Sequence, residues 1–438
     1  MSERLAEGPA PCEVADSDHL LTTLWAGPPA GTDPVLVSRP RGDDWGHRTW
    51  TDLLHRVRSV AGGLVAHGVA PGDRVAIMSP TRMEWLVADL AILASGAVAV
   101  PVYDTNSPDQ CRSILANSRP RLAFVADPDL GALLTSTAPP DAPLEDLVVF
   151  DDAGLGRLAR SAADDDLAEV DRRVGALGGD DLATIVYTSG TTGDPKGCEL
   201  THHNLVWTVR QVLSRMDGVL EDGDSTLLFL PLAHIFTRVV MYAALERGLH
   251  VGFARSLDHL ADDLRSFRPT YLLAVPRVFE KLFRAAQHRA GGWRAPVFEL
   301  AVRTGERWAT TTRPSTALQL QHRLSDLLVY ARLRAALGGR VRFSVSGGAA
   351  LNPRLARYFQ AAAITILEGY GLTETSAPAT ISTPDEMRVG SVGRPLPGVS
   401  IRVADDGELL VSGGNVFRGY PRDPAATAAV FDDGWFRT

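Results

Sequence analysis

The stretch YTSGTTGDPKG, residues 187–197, concentrates hydroxyl side chains and glycines around one lysine. Lysine is rare in this chain, because only Lys196 and Lys281 among the 44 lysines and arginines are lysine. Glycines let backbone N–H groups converge on an anion, hydroxyls add donors, and lysine supplies a compact, mobile charge. The order is not that of a Walker A loop, since Pro195 precedes the lysine and Gly197 follows it. The stretch predicts a phosphate-binding loop, with an ordinary surface turn as the alternative.

This stretch resembles the signature loop of the adenylate-forming acyl-CoA synthetases, a family that includes luciferases and the adenylation domains of peptide synthetases. The resemblance implies that the loop and Lys196 hold the β- and γ-phosphates of ATP, and that Thr188 lies near a Mg²⁺ ion. The nucleotide-binding residues that it implies here are Thr188, Ser189, Gly190, Thr191, Thr192, Gly193 and Lys196.

Two later segments follow in the order of the family's motifs. FLPLAHIFTRV, residues 229–239, resembles the motif in which a histidine, here His234, borders the carboxylate substrate. VSGGAAL, residues 345–351, resembles the segment that packs against adenine, and it implies nucleotide contacts from Gly347, Gly348 and Ala349. Without the resemblance, His234 could be a hydrogen-bonded core histidine and the glycine pair a tight turn.

The stretch EGYGLTETS, residues 368–376, supplies the other implied contacts. By resemblance, Tyr370 stacks on adenine, Thr373 contacts the α-phosphate and Glu374 helps to hold Mg²⁺. One carboxylate suffices for this, because Mg²⁺ usually keeps phosphate oxygens and water as its other ligands. An exposed loop carboxylate is the alternative for Glu374. The further nucleotide-binding residues implied here are Glu368, Gly369 and Gly371.

The segment AVPRVFEKLF, residues 274–283, resembles the long-chain fatty-acid branch of the family. It implies an apolar acyl tunnel beneath residues 236–242, with Val275 and Phe279 as further lining candidates. Lys281 is interpreted as a helix-surface charge paired with a nearby acid, without a catalytic role.

Short apolar runs that alternate with helical patterns position these motifs, which is typical of βαβ units and a mostly parallel sheet. The expected strands are residues 75–78, 97–102, 122–125, 185–187, 227–230, 251–253, 271–275, 341–345 and 363–367. The expected helices begin at Thr49, cover 83–94 and 108–117, and form an insertion over 276–337. We predict an α/β fold of packed parallel-sheet subdomains with a smaller β-rich subdomain at the C-terminal end.

The predicted organisation has four parts. They are a lead-in over residues 1–48, a first αβ subdomain over 49–176, a second over 177–384 that carries the ATP and acyl sites, and a β-rich subdomain over 385–438. Residues 151–181 are expected to be a connector, because they are acidic and lack a long periodic core. Family members continue past GWFRT into a small C-terminal domain, which we expect to be absent from this chain.

Composition limits the partners. The net charge of −8 excludes a general nucleic-acid binder. The apolar run 85–102 contains Asp89, Gly96 and Pro101, so it predicts a buried helix and strand and no transmembrane segment. Peripheral membrane contact and the oligomeric state stay open. Three scattered cysteines favour a reducing cytoplasm over a disulfide framework.

The resemblance implies ATP-dependent activation of a long-chain fatty acid to acyl-AMP and then to acyl-CoA, with ATP, Mg²⁺ and coenzyme A taking part. The implied enzyme is a long-chain fatty-acid–CoA ligase, with reduced turnover expected from the 438-residue chain alone. One alternative is acyl transfer to a carrier protein, and another is a non-catalytic module that binds fatty acid or nucleotide.

Overall fold

Three β-sheets organise the chain in the computed structural model, which describes residues 4–28, 30–42, 44–150, 152–188, 195–291 and 295–438. The strands are β1 (Arg4–Glu7), β2 (Val35–Arg41), β3 (Asp44–Thr49), β4 (Arg74–Met78), β5 (Val98–Val102), β6 (Leu122–Val125), β7 (Asp146–Val149), β8 (Leu182–Thr188), β9 (Lys196–Thr201), β10 (Ser225–Leu228), β11 (His250–Phe253), β12 (Tyr271–Ala274), β13 (Phe343–Ser346), β14 (Thr365–Leu372), β15 (Ala377–Ile381), β16 (Arg394–Pro395), β17 (Ser400–Val403), β18 (Leu409–Ser412), β19 (Phe431–Asp432) and β20 (Trp435–Arg437). The α-helices are α1 (Thr22–Ala26), α2 (Trp50–Ala66), α3 (Met83–Ala94), α4 (Pro108–Ser118), α5 (Pro128–Thr137), α6 (Asp152–Arg160), α7 (Asp164–Ala176), α8 (His202–Arg215), α9 (Ile235–Glu246), α10 (Leu260–Phe267), α11 (Pro276–Arg289), α12 (Ala295–Thr310), α13 (Thr316–Ser325), α14 (Ala331–Ala336), α15 (Pro353–Ala361) and α16 (Pro424–Ala429).

The first sheet has six strands in the order β7-β6-β4-β5-β8-β9, parallel except for β9. Every residue of α3 is buried beside it, and β5 is buried throughout, so the apolar run 85–102 forms the expected helix and strand. None of the helices among the described residues has the length and apolar character needed to cross a bilayer.

The second sheet has nine strands in the order β16-β15-β14-β13-β12-β10-β11-β2-β3. The six strands from β14 to β2 run parallel, and the remaining edge strands are antiparallel. The carboxyl ends of β10, β12, β13 and β14 therefore meet at one edge, where open α/β sheets bind their ligands.

The third sheet is small and antiparallel, in the order β1-β17-β18-β20-β19. Its neighbourhood is tied to the first sheet, because the N–H groups of Glu199 and Arg418 donate to the carbonyls of Gly419 and Glu199 respectively, each at 3.0 Å. The α/β fold with a smaller C-terminal β-rich sheet is confirmed.

Three details differ from the sequence prediction. The lead-in contributes β1, β2 and the start of β3 to two sheets, since its strands pair with residues more than 200 positions away, such as Val251 with Val37. The expected connector 151–181 contains α6 and α7. The change of sheet does not fall at 176/177, because Thr184 of β8 pairs with Ala99 of β5 and its hydroxyl donates to the Ala99 carbonyl at 2.7 Å.

A buried ion pair joins the two large sheets. The Arg238 guanidinium of α9 donates to Asp89 of α3 at 2.6 Å and to the Thr184 hydroxyl of β8 at 2.8 Å. The Tyr242 hydroxyl also contacts Asp89. Arg238 and Asp89 are fully buried, so each charge depends on the other for compensation.

Candidate active site

One cavity of about 760 Å³ opens at the carboxyl edge of the second sheet. Its mouth is polar and its inner end is apolar. The predicted site residues that line it are Thr188, Lys196, His234, Gly347, Gly348, Gly369, Tyr370, Gly371, Thr373 and Glu374. The structure therefore brings together residues that are up to 186 positions apart in the sequence.

The two ends of the predicted phosphate loop reach the cavity as partners in the β8–β9 hairpin, in which Thr188 pairs with Lys196. The exposed Lys196 places its Nζ 5.7 Å from the centre of the Tyr420 ring. A side chain on Gly197 would lie 2.9 Å from Cγ2 of Ile185, so close packing of the hairpin favours glycine there. The predicted contacts that lie outside the described residues are Ser189, Gly190, Thr191, Thr192 and Gly193.

Glu374 lies in the 3₁₀ turn Thr373–Thr375 that follows β14. Its carboxylate accepts a hydrogen bond from the Tyr420 hydroxyl at 3.3 Å and contacts the buried Cys198 thiol. Its backbone carbonyl accepts from the N–H of Phe417 at 2.8 Å. Burial and the neighbouring carboxylate raise the pKa of the Tyr420 phenol and of the Cys198 thiol. Both groups therefore keep their protons at neutral pH.

The wall expected to face adenine is formed by main chain that approaches closely. A Cβ on Gly347 would lie 3.1 Å from the Phe236 ring, and Gly348 has a φ of +80°. Gly371 is required for a different reason, because a Cβ there would lie 1.6 Å from the carbonyl oxygen of Ala377 in β15. Tyr370 stays half-buried at this wall, with its N–H donating to the Thr380 hydroxyl at 3.3 Å.

His234 is the N-cap residue of α9, at the end of the loop that follows β10. Its Nδ1 accepts from the N–H of Phe236 at 3.2 Å, so the neutral ring carries its proton on Nε2. The imidazole is open to the cavity yet surrounded by protein, and this desolvation lowers its pKa. A neutral ring with a free Nε2–H can donate to a carboxylate oxygen.

The inner end of the cavity is an apolar arm between α8 and α9. Its lining side chains include Val212, Met216, Leu220, Val239, Val240 and Ala243. Val239 and Val240 belong to the stretch 236–242, beneath which the sequence predicts a tunnel. The residues contributed by α8 and the turn after it were not predicted, because α8 reads as an ordinary amphipathic helix.

Several predicted residues do not line this cavity. Ala349 is exposed beside it, and the buried Glu368 carboxylate accepts the N–H of Leu351 at 3.2 Å instead. Val275 lines a second cavity, and Phe279 is buried in the core around α11 and α15. The acid partner expected for Lys281 is not found in the part of the chain that the structure describes. These positions differ because sequence spacing does not fix which neighbour a side chain faces in the tertiary fold.

Cys198, Tyr420 and the Arg238–Asp89 pair are site features that the sequence reasoning missed. Cys198 immediately follows the predicted loop, so its burial beside the acidic turn could have been suspected. Tyr420 could not, because its approach to Glu374 depends on the bridge between β9 and residues 418–419.

The donor set at the mouth fits a Mg²⁺ ion that is bound together with a nucleotide. Glu374 offers one carboxylate and Thr188 one hydroxyl, and both line the same cavity. Mg²⁺ accepts such a sparse protein set when phosphate oxygens and water complete its octahedron.

Comparison with known proteins identifies the family of the chain. Residues 27–421 match the AMP-binding enzyme family, and the chain belongs to that family. Among its relatives, a long-chain-fatty-acid–CoA ligase of Mycobacterium bovis is 41% identical over 438 residues, which cover 98% of this chain and 73% of the relative. Long-chain-fatty-acid–CoA ligase 1 of Homo sapiens is 30% identical over 475 residues, which cover 97% of this chain and 66% of the human protein.

Solved structures share the fold. The N-terminal domain of FACL13 from Mycobacterium tuberculosis superposes with a TM-score of 0.74 at 23% identity and covers 96% of both chains. ATP-bound MatB from Rhodopseudomonas palustris superposes with a TM-score of 0.72 at 25% identity, covering 96% of this chain and 75% of MatB. The curated relatives are long-chain-fatty-acid–CoA ligases, an AMP-forming ligase family, and the predicted resemblance to the long-chain branch is confirmed.

Proposed function

We propose that this chain activates long-chain fatty acids with ATP. The observation that carries the proposal is the single cavity in which a polar mouth with Lys196 and Glu374 continues into an apolar arm. A fatty acid in the arm would present its carboxylate at the mouth, where the nucleotide phosphates would lie.

The proposed reaction has two steps. A carboxylate oxygen attacks the α-phosphorus of ATP, the bond to the β-phosphate oxygen breaks, and pyrophosphate leaves with that electron pair. The thiolate of coenzyme A then attacks the acyl carbon, and AMP leaves with the electrons of the broken C–O bond. A carboxylate alone resists the thiolate because its leaving group would be oxide, so AMP supplies a stable leaving group.

The chain's own residues would act by positioning and charge. Lys196 and the 188–197 loop would hold the β- and γ-phosphates, and Thr373 would contact the α-phosphate. His234 would donate its Nε2–H to the substrate carboxylate. Glu374 and Thr188 would hold Mg²⁺, which supplies a Lewis acid that neutralises phosphate charge.

Three finer expectations remain proposals. The first is cytoplasmic location, which the free thiols of Cys12, Cys111 and Cys198 support. The second is coenzyme A as the acceptor in place of a carrier-protein pantetheine. The third is reduced turnover by the 438-residue polypeptide. A non-catalytic module that binds fatty acid or nucleotide is a separate alternative.

Filling the arm tests the proposal. Val240→Phe should leave Mg·ATP binding unchanged in titration calorimetry, because Val240 lies in the apolar arm. Pyrophosphate release with hexadecanoate should fall about tenfold or more, while release with hexanoate persists. Val392→Phe, at an exposed position, is the matched control.

An unchanged chain-length profile in Val240→Phe would contradict the placement of the acyl group. Failure of the unaltered chain to bind Mg·ATP would contradict the nucleotide site itself. Supplying coenzyme A or a pantetheinylated carrier protein in parallel identifies the acceptor, and comparing rates with the relatives measures turnover.

A further inference from the structure

The helical insertion, residues 276–337, has a charge opposite to that of the rest of the chain. It contains eleven lysines and arginines but four aspartates and glutamates, a net charge of +7 within a chain of −8. The remaining residues hold 33 basic and 48 acidic side chains, a net charge of −15. A basic segment of this kind in an acidic protein marks a surface that attracts an anionic partner.

A second cavity lies in this region as an apolar groove of about 700 Å³ among α10, α11, α12 and α14. Its apolar walls include Leu260, Leu264, Val278, Leu282, Phe298 and Leu333. Its basic residues are Arg277, Lys281, Arg289 and Arg332, all of them exposed. None of these four side chains has an ion pair or hydrogen bond to any residue that the structure describes.

The basic and apolar side chains follow adjacent rows of α11. Arg277, Lys281 and Arg289 are separated by multiples of four residues, and so are Val278, Leu282 and Ala286. Residues four apart lie on one helix face, so α11 presents a charged row beside the apolar row that lines the groove.

Exposed leucines continue the apolar surface along α13 and the π-helical turn Asp326–Tyr330 after it. Leu320, Leu324, Leu327 and Leu328 are 61%, 51%, 71% and 43% exposed, and they follow helical spacing. Leu328 also lines the groove, and so does Leu257, which is 59% exposed. Contiguous large apolar side chains in water mark an interaction surface.

The acids near this surface do not neutralise it. Asp326 is paired with Arg334 at 2.6 Å, and Glu280 lies 3.7 Å from Arg284. Asp262 of α10 is paired with Arg265. The four basic side chains of the groove therefore remain available for ion pairs with an anionic partner.

We propose that this insertion face docks on an anionic lipid bilayer, with the leucines in the acyl layer and the four basic side chains at the headgroups. Amphipathic helical surfaces that combine leucine with lysine and arginine bind in this way. A second copy of the chain would bring the same positive face against itself, and a nucleic acid would leave the leucines in water.

The docking would also serve the proposed function, on which this step rests, because long-chain fatty acids partition into bilayers. The groove wall includes Phe229, Leu230 and Pro231, which precede His234, and it also includes Val275. The groove and the first cavity are thus both lined by residues of the segment 229–234 that follows β10.

Vesicle flotation of the whole chain tests the docking. We expect binding to vesicles of phosphatidylcholine mixed with phosphatidylglycerol, weaker binding to phosphatidylcholine alone, and a loss with added salt. The variant R277Q/K281Q/R289Q should bind the anionic vesicles about 100-fold more weakly, because each basic residue at the surface contributes about fivefold. The variant L324S/L327S should weaken binding to both kinds of vesicle.

The matched control variants carry the same types of substitution outside the insertion. R112Q/R119Q/R247Q removes three exposed arginines outside the insertion, and L5S/V392S removes two exposed apolar side chains. Both controls should bind vesicles like the unaltered chain. Equal vesicle binding by insertion variants and controls would overturn the proposal, as would a self-association that L324S/L327S abolishes while vesicle binding persists.

Calorimetry with Mg·ATP separates this proposal from the proposed function. Insertion variants that lose vesicles but keep nucleotide affinity support the docking face. A chain that binds vesicles through the insertion but never binds Mg·ATP would refute the enzymatic function and leave the docking face standing.

Discussion

The two large cavities described above are similar in size but are built in different ways. The cavity at the strand ends rests on buried structure, including the Arg238–Asp89 ion pair and glycines that no other residue could replace without movement. Exposed side chains from separate helices line the edge of the groove on the insertion. Changes beneath the first should therefore cost fold stability, whereas changes at the edge of the second should cost only binding.

The largest expected effect on stability concerns the buried ion pair between Arg238 and Asp89. Asp89→Ala leaves the Arg238 guanidinium buried without its counter-charge, and should lower the free energy of unfolding by about 3–5 kcal/mol. Denaturant unfolding measures this loss. Asp109→Ala, which breaks the exposed pair with Arg112, should cost about 1 kcal/mol or less. Equal losses of unfolding free energy in the two variants would contradict the expected difference between a buried and an exposed ion pair.

Acid should lower the free energy of unfolding, because His202 is buried and must gain a proton. Burial lowers the pKa of this imidazole to about 3, below its ordinary 6.5. The folded state then binds fewer protons than the unfolded state between these values, so stability is complete above pH ~6.5 and declines as pH falls toward 3. At pH ~5 the loss should be about 2 kcal/mol.

His202→Leu removes that titration, and its free energy of unfolding should depend less on pH between about 6.5 and 5. The variant also loses the Nδ1 acceptor for the N–H of Leu20, so only the slope is diagnostic. Identical slopes in the variant and the unaltered chain would show that His202 is not the group responsible.

A smaller effect, on Mg·ATP binding, is expected for Lys196 at the polar mouth of the first cavity. Lys196→Arg should preserve the fold and weaken Mg·ATP binding about tenfold, because a planar guanidinium cannot reproduce the reach of an ammonium group. Calorimetry measures the affinity, and Lys281→Arg, outside this cavity, is the matched control. An unchanged affinity of Lys196→Arg for Mg·ATP would contradict the prediction that the site requires an ammonium group.

The smallest effect on stability belongs to the insertion. Leu327→Ser should change the free energy of unfolding by less than about 0.5 kcal/mol, since its side chain is 71% exposed. Thermal unfolding is a sufficient measurement. A large loss would mean that Leu327 packs inside the protein, and would remove it from the docking face.

The same contrast explains what sequence could predict. Residues that line the cavity at the strand ends belong to strand ends and tight turns whose glycines, turn residues and hydroxyls have few alternatives, so ten of the predicted contacts line one cavity. Helices and strands with strong periodicity were also predicted, and α3 matches its expected bounds of 83–94. Local sequence carries this information because a glycine-rich motif or a periodic apolar pattern is visible within one segment.

Other features depend on contacts that are distant in the chain. The pairing of Val37 with Val251, the membership of β8 in the first sheet, and the approach of Tyr420 to Glu374 all require the tertiary fold. The exposed leucine stripe reads in sequence as an ordinary amphipathic pattern, because periodicity does not say which face finds a partner. The charge balance of residues 276–337 was the one signal available for that region.

A crystal structure of the chain with Mg²⁺ and a long-chain acyl-AMP would test the central claim most directly. We expect the adenine beside Gly347 and Tyr370, the α-phosphate at Thr373, and the acyl chain in the arm lined by Val212 and Val240. An acyl chain in the groove beside Lys281, or a nucleotide away from Glu374, would contradict the account.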